Sequence, residues 1–254
     1  MLVRAALPAP RLQPYIARYW YLAGFFQHAE PISLLPDGGV NLLVNFGEGP
    51  ASAGYGDVAR PQGVYLIGAM LRADEQELRG EQLFLGVSFK PGAFSMFHRA
   101  PAMSSVAGRV QPFDGELPDV RRDPTQLAAV MDRFYLDRLA PTRDGLTSVI
   151  EDIEARHGRV RLDALAKRHA VSGRQLERAF ERQLGITPKQ FADLTRFRHA
   201  QVLLESARGT ASLAQLALDA GYYDQSHMTR HFKRFTGKPP TRLVLSDLSK
   251  SALG

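Results

Sequence analysis

Short apolar runs bounded by turn residues fill the first 120 or so positions of this chain, and helical periodicity fills the rest. Val40–Phe46, Val64–Ile67 and Gln82–Phe89 are brief and rich in β-branched and aromatic side chains. They are punctuated by Pro36-Asp37-Gly38-Gly39, Gly47-Glu48-Gly49-Pro50 and Lys90-Pro91-Gly92, so they predict strands of a small barrel or sandwich. From Asp123-Pro124, a cap followed by a first-turn proline, Leu127, Val130, Met131, Phe134, Tyr135 and Leu139 recur at helical spacing up to Ala140-Pro141-Thr142. That helix either packs on its own barrel or pairs with a second subunit. Beyond it, helices are predicted around the stripe Leu146, Val149, Ile150 and Ile153, then over Leu162–Ala170, Ser172–Leu184, Pro188–Ser206, Leu213–Ala220 and Asp224–Thr236. The expected fold class is α+β in two domains: a β-rich unit over residues 1–141 and an all-helical unit over 142–254.

The helical part contains an internal repeat. Leu165 to Phe180, continuing to Gly185 and Pro188, matches Leu216 to Phe232, continuing to Gly237 and Pro240. Ala166 and Ala217 are 51 apart, whereas Arg178/Arg230, Phe180/Phe232, Gly185/Gly237 and Pro188/Pro240 are 52 apart, so the turn of the second copy holds one extra residue. Each copy is a short helix, a tight turn, a polar cap (Ser172 or Asp224) and a longer helix. The longer helix buries Leu176 and Phe180, or Met228 and Phe232, at i and i+4. Its opposite face carries Arg174, Gln175, Glu177 and Arg178 in the first copy, and Gln225, Ser226, Thr229 and Arg230 in the second. These side-chain types read base edges: Arg forks onto guanine, Gln onto adenine, and Glu accepts from cytosine. An 18-residue connecting helix is ~27 Å long, which with its ends approaches the ~34 Å between successive major grooves on one DNA face.

Charge agrees with a polyanionic partner. Net charge is +6 overall, and it divides as −1 over residues 1–141 and +7 over 142–254. The chain has no cysteine, which removes disulfides, thiolate metal sites and cysteine nucleophiles. His28 and His98 are the histidines of the first 141 residues and form no His-x-His pair, so no metal and no cofactor is expected. No Gly-x-Ser-x-Gly, His-Glu-x-x-His or phosphate-cradling Gly-Lys-Ser/Thr occurs, and no catalytic residue is assigned. The longest apolar run, Val64–Leu71, is broken by Gly68 and too short to span a bilayer, and prolines 8, 10 and 14 break any secretion signal. The expectation is a cytoplasmic protein without a membrane partner.

Residues 143–243 resemble the DNA-binding domain of AraC/XylS-type transcriptional regulators. The resemblance lies in Arg196-Phe197-Arg198-His199-Ala200-Gln201-Val202-Leu203-Leu204, in Ala214-Gln215-Leu216-Ala217 through Gly221-Tyr222, and above all in Gln225 through Pro240. Leu35–Gly47 and Gly86–Phe94 resemble the N-terminal domain of an AraC-like subgroup, a likeness that names no ligand. The resemblance implies a sequence-specific transcriptional regulator whose base contacts come from Arg174, Glu177, Arg178, Gln225, Ser226, Thr229 and Arg230. It further implies double-stranded DNA and RNA polymerase as partners, with a small-molecule effector or a second copy of the chain engaging residues 1–141. Tyr15, Tyr19, Trp20, Tyr21, Phe25 and Phe26, with Asn41 and Asn45, either enclose such an effector or form the core. An alternative from another class is an enzyme acting in the β-rich part, with the basic helices as a nucleic-acid tether.

Overall fold

The computed structural model describes residues 2–49, 62–121, 123–139, 145–207 and 211–243. The expected boundary at Ala140–Thr142 lies outside the described residues.

Six antiparallel strands form one sheet: β1 (Leu2–Ala6), β2 (Ile16–Leu34), β3 (Val40–Asn45), β4 (Gly63–Ile67), β5 (Asp74–Phe89) and β6 (Val110–Pro112). Their order is β1-β2-β5-β3-β4-β6, with β5 central: Gly86 faces Trp20 on one side and Leu43 on the other. The long β2–β5 ribbon bends back on itself. Leu34 pairs with Asp74, and Val40, six residues later, pairs with Phe89. A straight β5 would separate Asp74 from Phe89 by ~50 Å, whereas six residues reach at most ~22 Å. The bend falls where the register shifts between Phe26 and Glu30, opposite Gly80 at φ 71°. It brings Phe26, Ile32 and Leu78 onto the cluster of Trp20, Leu22, Leu43, Tyr65 and Phe84. The barrel-like expectation is therefore met by a curled sheet rather than by two packed sheets. Its interior is filled by side chains: a Cβ on Gly86 would fall 1.9 Å from Cε2 of Trp20.

The other face carries the alternate positions Tyr19, Tyr21, Leu42, Val44, Leu66, Leu85 and Val87. It is covered by Phe94, Phe97, the short helix α1 (Met103–Val106) and helix α2 (Leu127–Leu136). Asp123 caps the 3₁₀ turn that leads into α2, as its sequence suggested. α2 packs on its own sheet through Leu127, Met131 and Tyr135, and Asp132 Oδ1 accepts from the Tyr19 hydroxyl (3.0 Å) and the Ala9 amide (2.9 Å). Tyr19 and Tyr21 are thus core residues, while Phe25 is 73% exposed. Asn41 Nδ2 donates to Asp37, and Asn45 Oδ1 accepts from the Gly47 amide, so both asparagines tie down turns.

Six α-helices follow among the described residues, α3 (Gly145–Ala155), α4 (Leu162–Arg168), α5 (Gly173–Leu184), α6 (Pro188–Ala207), α7 (Leu213–Asp219) and α8 (Gln225–Thr236), and a 3₁₀ turn over Pro240–Arg242 comes last. α3, α4, α5 and the start of α6 enclose one core (Ile153, Leu165, Leu176, Phe180, Leu184, Phe191). The middle of α6, with α7 and α8, encloses a second (Leu194, Phe197, Ala217, Met228, Phe232, Phe235). The 20 residues of α6 give a strut ~30 Å long that enters both cores.

Candidate nucleic-acid interface

Both copies of the repeat fold as helix-turn-helix units, and the same chemistry closes each turn. The amide of Val171 donates to Ala166 O (3.0 Å) and that of Tyr222 to Ala217 O (2.8 Å), 51 residues later. Ala170 takes the left-handed conformation (φ 52°) that Gly221 takes in the second unit (φ 81°). Ser172 Oγ then accepts from the Gln175 amide (3.2 Å) to open α5, and Asp224 Oδ1 accepts from the His227 amide (2.6 Å) to open α8. The extra residue of the second copy is therefore Tyr223, set between the closed turn and the cap and 86% exposed. Sequence reasoning counted that residue without locating it; the change of offset from 51 to 52 was the available signal. Gly185 (φ 74°) and Gly237 (φ 72°) end the two longer helices in the left-handed conformation.

The buried side of each longer helix is as expected: Leu176, Phe180 and Leu184 on α5, and Met228, Phe232 and Phe235 on α8. Arg174, Gln175, Glu177, Arg178, Gln225, Ser226 and Arg230 are all exposed, and Thr229 is half-buried. Gln175 has a second task, because its Oε1 accepts from the Ser172 amide (2.8 Å) and completes a capping box. Among the described residues, Arg174, Arg178 and Arg230 make no ion pair, so Arg178 is not neutralised by Glu181.

Charge is organised differently on the inner side. Asp193 of α6 is buried and pairs with Lys189 (2.7 Å) and with Arg234 of α8 (3.5 Å), tying the connecting helix to α8. Burial is the main cause that pushes the nearby His231 down to about 4, with His227, Arg234 and Arg196 acting in the same direction and Asp193 opposing. In the first unit, Asp152 of α3 accepts from Arg156 (2.6 Å), Arg168 and His169 (3.2 Å). Those bonds, that from Arg156 foremost, hold its carboxyl down to about 2.

The N-terminal region touches both units. Arg198 donates to Asp37 O (3.1 Å), Ala73 donates to Phe235 O (2.6 Å), and Lys238 pairs with Glu75 (3.2 Å). The backbone of α1 lies against the end of α5: a Cβ on Gly185 would fall 2.1 Å from Met103 O. Ala100, Met103 and Ser104 face Arg178, Glu181 and Arg182 across an open groove of about 460 Å³. The first turn of α5 thus faces solvent, whereas its later turns border the N-terminal region. Elsewhere in that region His98 stacks on Phe94 (5.2 Å) and approaches the Tyr135 hydroxyl (3.2 Å), and burial pushes it down to about 4.

Residues 165–244 match the model of a helix-turn-helix domain, and residues 4–110 that of a domain of unknown function, DUF6597. The Msm operon regulatory protein of Streptococcus mutans is 26% identical over 121 residues, 46% of this chain and 43% of the relative. The matched segment thus spans less than half the length of that curated relative. Among solved structures, a probable AraC family transcriptional regulator from Rhodopseudomonas palustris is 26% identical over 43% of this chain and 98% of its own, with a TM-score of 0.36. ToxT from Vibrio cholerae is 9% identical over 90% of this chain and 98% of its own, with a TM-score of 0.48. With its two capped longer helices, its connecting helix and a family match that spans both units, the C-terminal part of this chain is a helix-turn-helix domain, similar in sequence to that of a probable AraC family regulator.

Proposed function

We propose that the protein is a sequence-specific, DNA-binding transcriptional regulator. One observation carries this reading: two equivalently built helix-turn-helix units share one continuous helix, and each exposes a row of base-reading side chains. Arg174, Gln175, Glu177 and Arg178 are assigned to one half-site, and Gln225, Ser226, Thr229 and Arg230 to the other. Tyr223 joins the second set, because its phenol stands in solvent directly before the cap of α8. The net +7 of residues 142–254 supplies the sequence-independent attraction to phosphate.

Residues 1–141 and 142–254 are proposed as the sensory and DNA-reading domains, in a protein that acts in the cytoplasm and is not an enzyme. A small-molecule effector in residues 1–141, a second copy of the chain and RNA polymerase complete the proposed partners. The contacts of Asp37, Ala73, Glu75 and Met103 with the helical units give the first domain a mechanical route to the second.

Selection of bound duplexes from a random-sequence pool by the full chain tests the function. The expected result is an enriched bipartite motif, bound with an affinity that falls steeply with added salt. Retention of DNA with no enriched sequence would contradict specific recognition.

A further inference from the structure

The two reading units are joined by α6, yet they are also bridged by a piece of the N-terminal region. The segment Gly68–Ala73, between β4 and β5, passes from one helical core to the other. Ala69 is fully buried in the core of the first unit. Leu71 packs against that core and also against the core of the second unit. Two residues on, the Ala73 amide donates to the carbonyl of Phe235, in the last turn of α8. Glu75 then pairs with Lys238, just past the end of that helix. The start of the strap is held as firmly. The Gly68 amide donates to Arg109 O (3.0 Å), Ala69 O accepts from the Gly108 amide (3.0 Å), and a Cβ on Gly68 would fall 2.1 Å from Val106 O.

A bipartite DNA site is sensitive to how two readers are placed relative to one another. One base pair of extra spacing turns a half-site by ~34–36° about the duplex axis and moves it ~3.4 Å along it. The second unit is tied to the first through α6 and through a polar bridge in which Arg159 donates to Asp219 O. We infer that Leu71 is a positioning residue for DNA recognition: wedged between both cores, it fixes the placement of α8 relative to α5 and so sets the half-site spacing the protein accepts. The strap runs directly into β5, so the curled sheet that the first domain is built on holds the spacing gauge of the second.

This inference rests on the DNA-binding reading for its functional arm and is independent of it for its structural arm. For the structural arm, the cysteine-free chain receives spin labels at R182C and K233C, on exposed positions of α5 and α8, and the inter-label distance distribution is measured with and without L71A. The expected result is a single narrow distribution that broadens or shifts in L71A and is restored by L71M. For the functional arm, the full chain is titrated with its selected duplex and with versions carrying one base pair more or less between half-sites. The unaltered chain is expected to favour the selected spacing by ~10-fold or more, and L71A by no more than ~3-fold, with single half-site affinity unchanged. Should L71A fail to fold, L71V carries both measurements with a smaller truncation. Unchanged distances and unchanged spacing preference in a folded variant would overturn the inference. Altered distances in a chain that selects no sequence would instead overturn the DNA-binding reading and leave the strap standing.

Discussion

The internal repeat makes a paired stability prediction, because Phe180 and Phe232 hold equivalent places and both are 0% exposed. Truncating a fully buried phenylalanine to alanine costs ~3–5 kcal/mol through lost burial and the cavity left behind. The two sites differ in their ring partners. Phe232 lies 4.8 Å from Phe197 in an edge-on contact, whereas Phe180 lies 5.8 Å from Phe191 at a tilt. An aromatic pair adds ~0.5–1.5 kcal/mol, which places Phe232→Ala toward the upper end and Phe180→Ala toward the lower. Against a total of ~5–15 kcal/mol for a typical domain, either loss is a large share. Urea unfolding followed by circular dichroism gives the midpoints, and methylation protection on a bipartite duplex shows which half-site each variant still reads. Phe232→Ala should lose the half-site read by α8 first, and Phe180→Ala the other. A loss below ~1 kcal/mol at both positions would refute equivalent packed cores, and a large loss at one with none at the other would refute the equivalence alone.

Arg230→Ala should cost ~1–3 kcal/mol on the selected duplex and relax preference at one position; equal weakening on random DNA would make Arg230 a phosphate contact. The folded pKa of His231, about 4, lies below the ordinary 6.5 of an imidazole, so its stabilising contribution is present above pH 6.5. That contribution is lost as pH falls toward 4, and thermal melts of His231→Phe should lose less stability over this window than those of the unaltered chain; parallel melting curves would count against a half-buried neutral imidazole. Gly86→Ala puts a methyl group 1.9 Å from Cε2 of Trp20, the one tryptophan. A destabilisation of ~1–3 kcal/mol or more with a shift in tryptophan emission is expected, and unchanged emission would contradict the filled interior.

The helical part was legible because several local signals agreed. Periodicity, the caps Ser172 and Asp224, and the terminal glycines 185 and 237 all pointed to the same boundaries. Strands β3, β4 and the last residues of β5 were equally plain, being short, apolar and flanked by turn residues. The apolar runs marked no strand over β1, β2 or β6 and missed the first half of β5. Gln27 to Pro31 and Asp74 to Glu81 are mostly polar, and the pairing of Glu30, Pro31 and Asp74 to Glu81 is stabilised by a partner strand forty or more residues away. The role of Leu71 was hidden for a similar reason. The run Val64–Leu71 reads as apolar, but that its end leaves the sheet to enter two helical cores depends on tertiary contacts alone. The site itself was visible as an exposed face, whereas the closeness of α1 to Arg178 and Arg182 was not.

Hydroxyl-radical footprinting of the full chain on its selected duplex tests most directly that one molecule reads two consecutive grooves. Two protected patches centred ~10 base pairs apart on one face of the helix are expected at a stoichiometry of one chain per site. A single patch, or two patches on opposite faces, would contradict it.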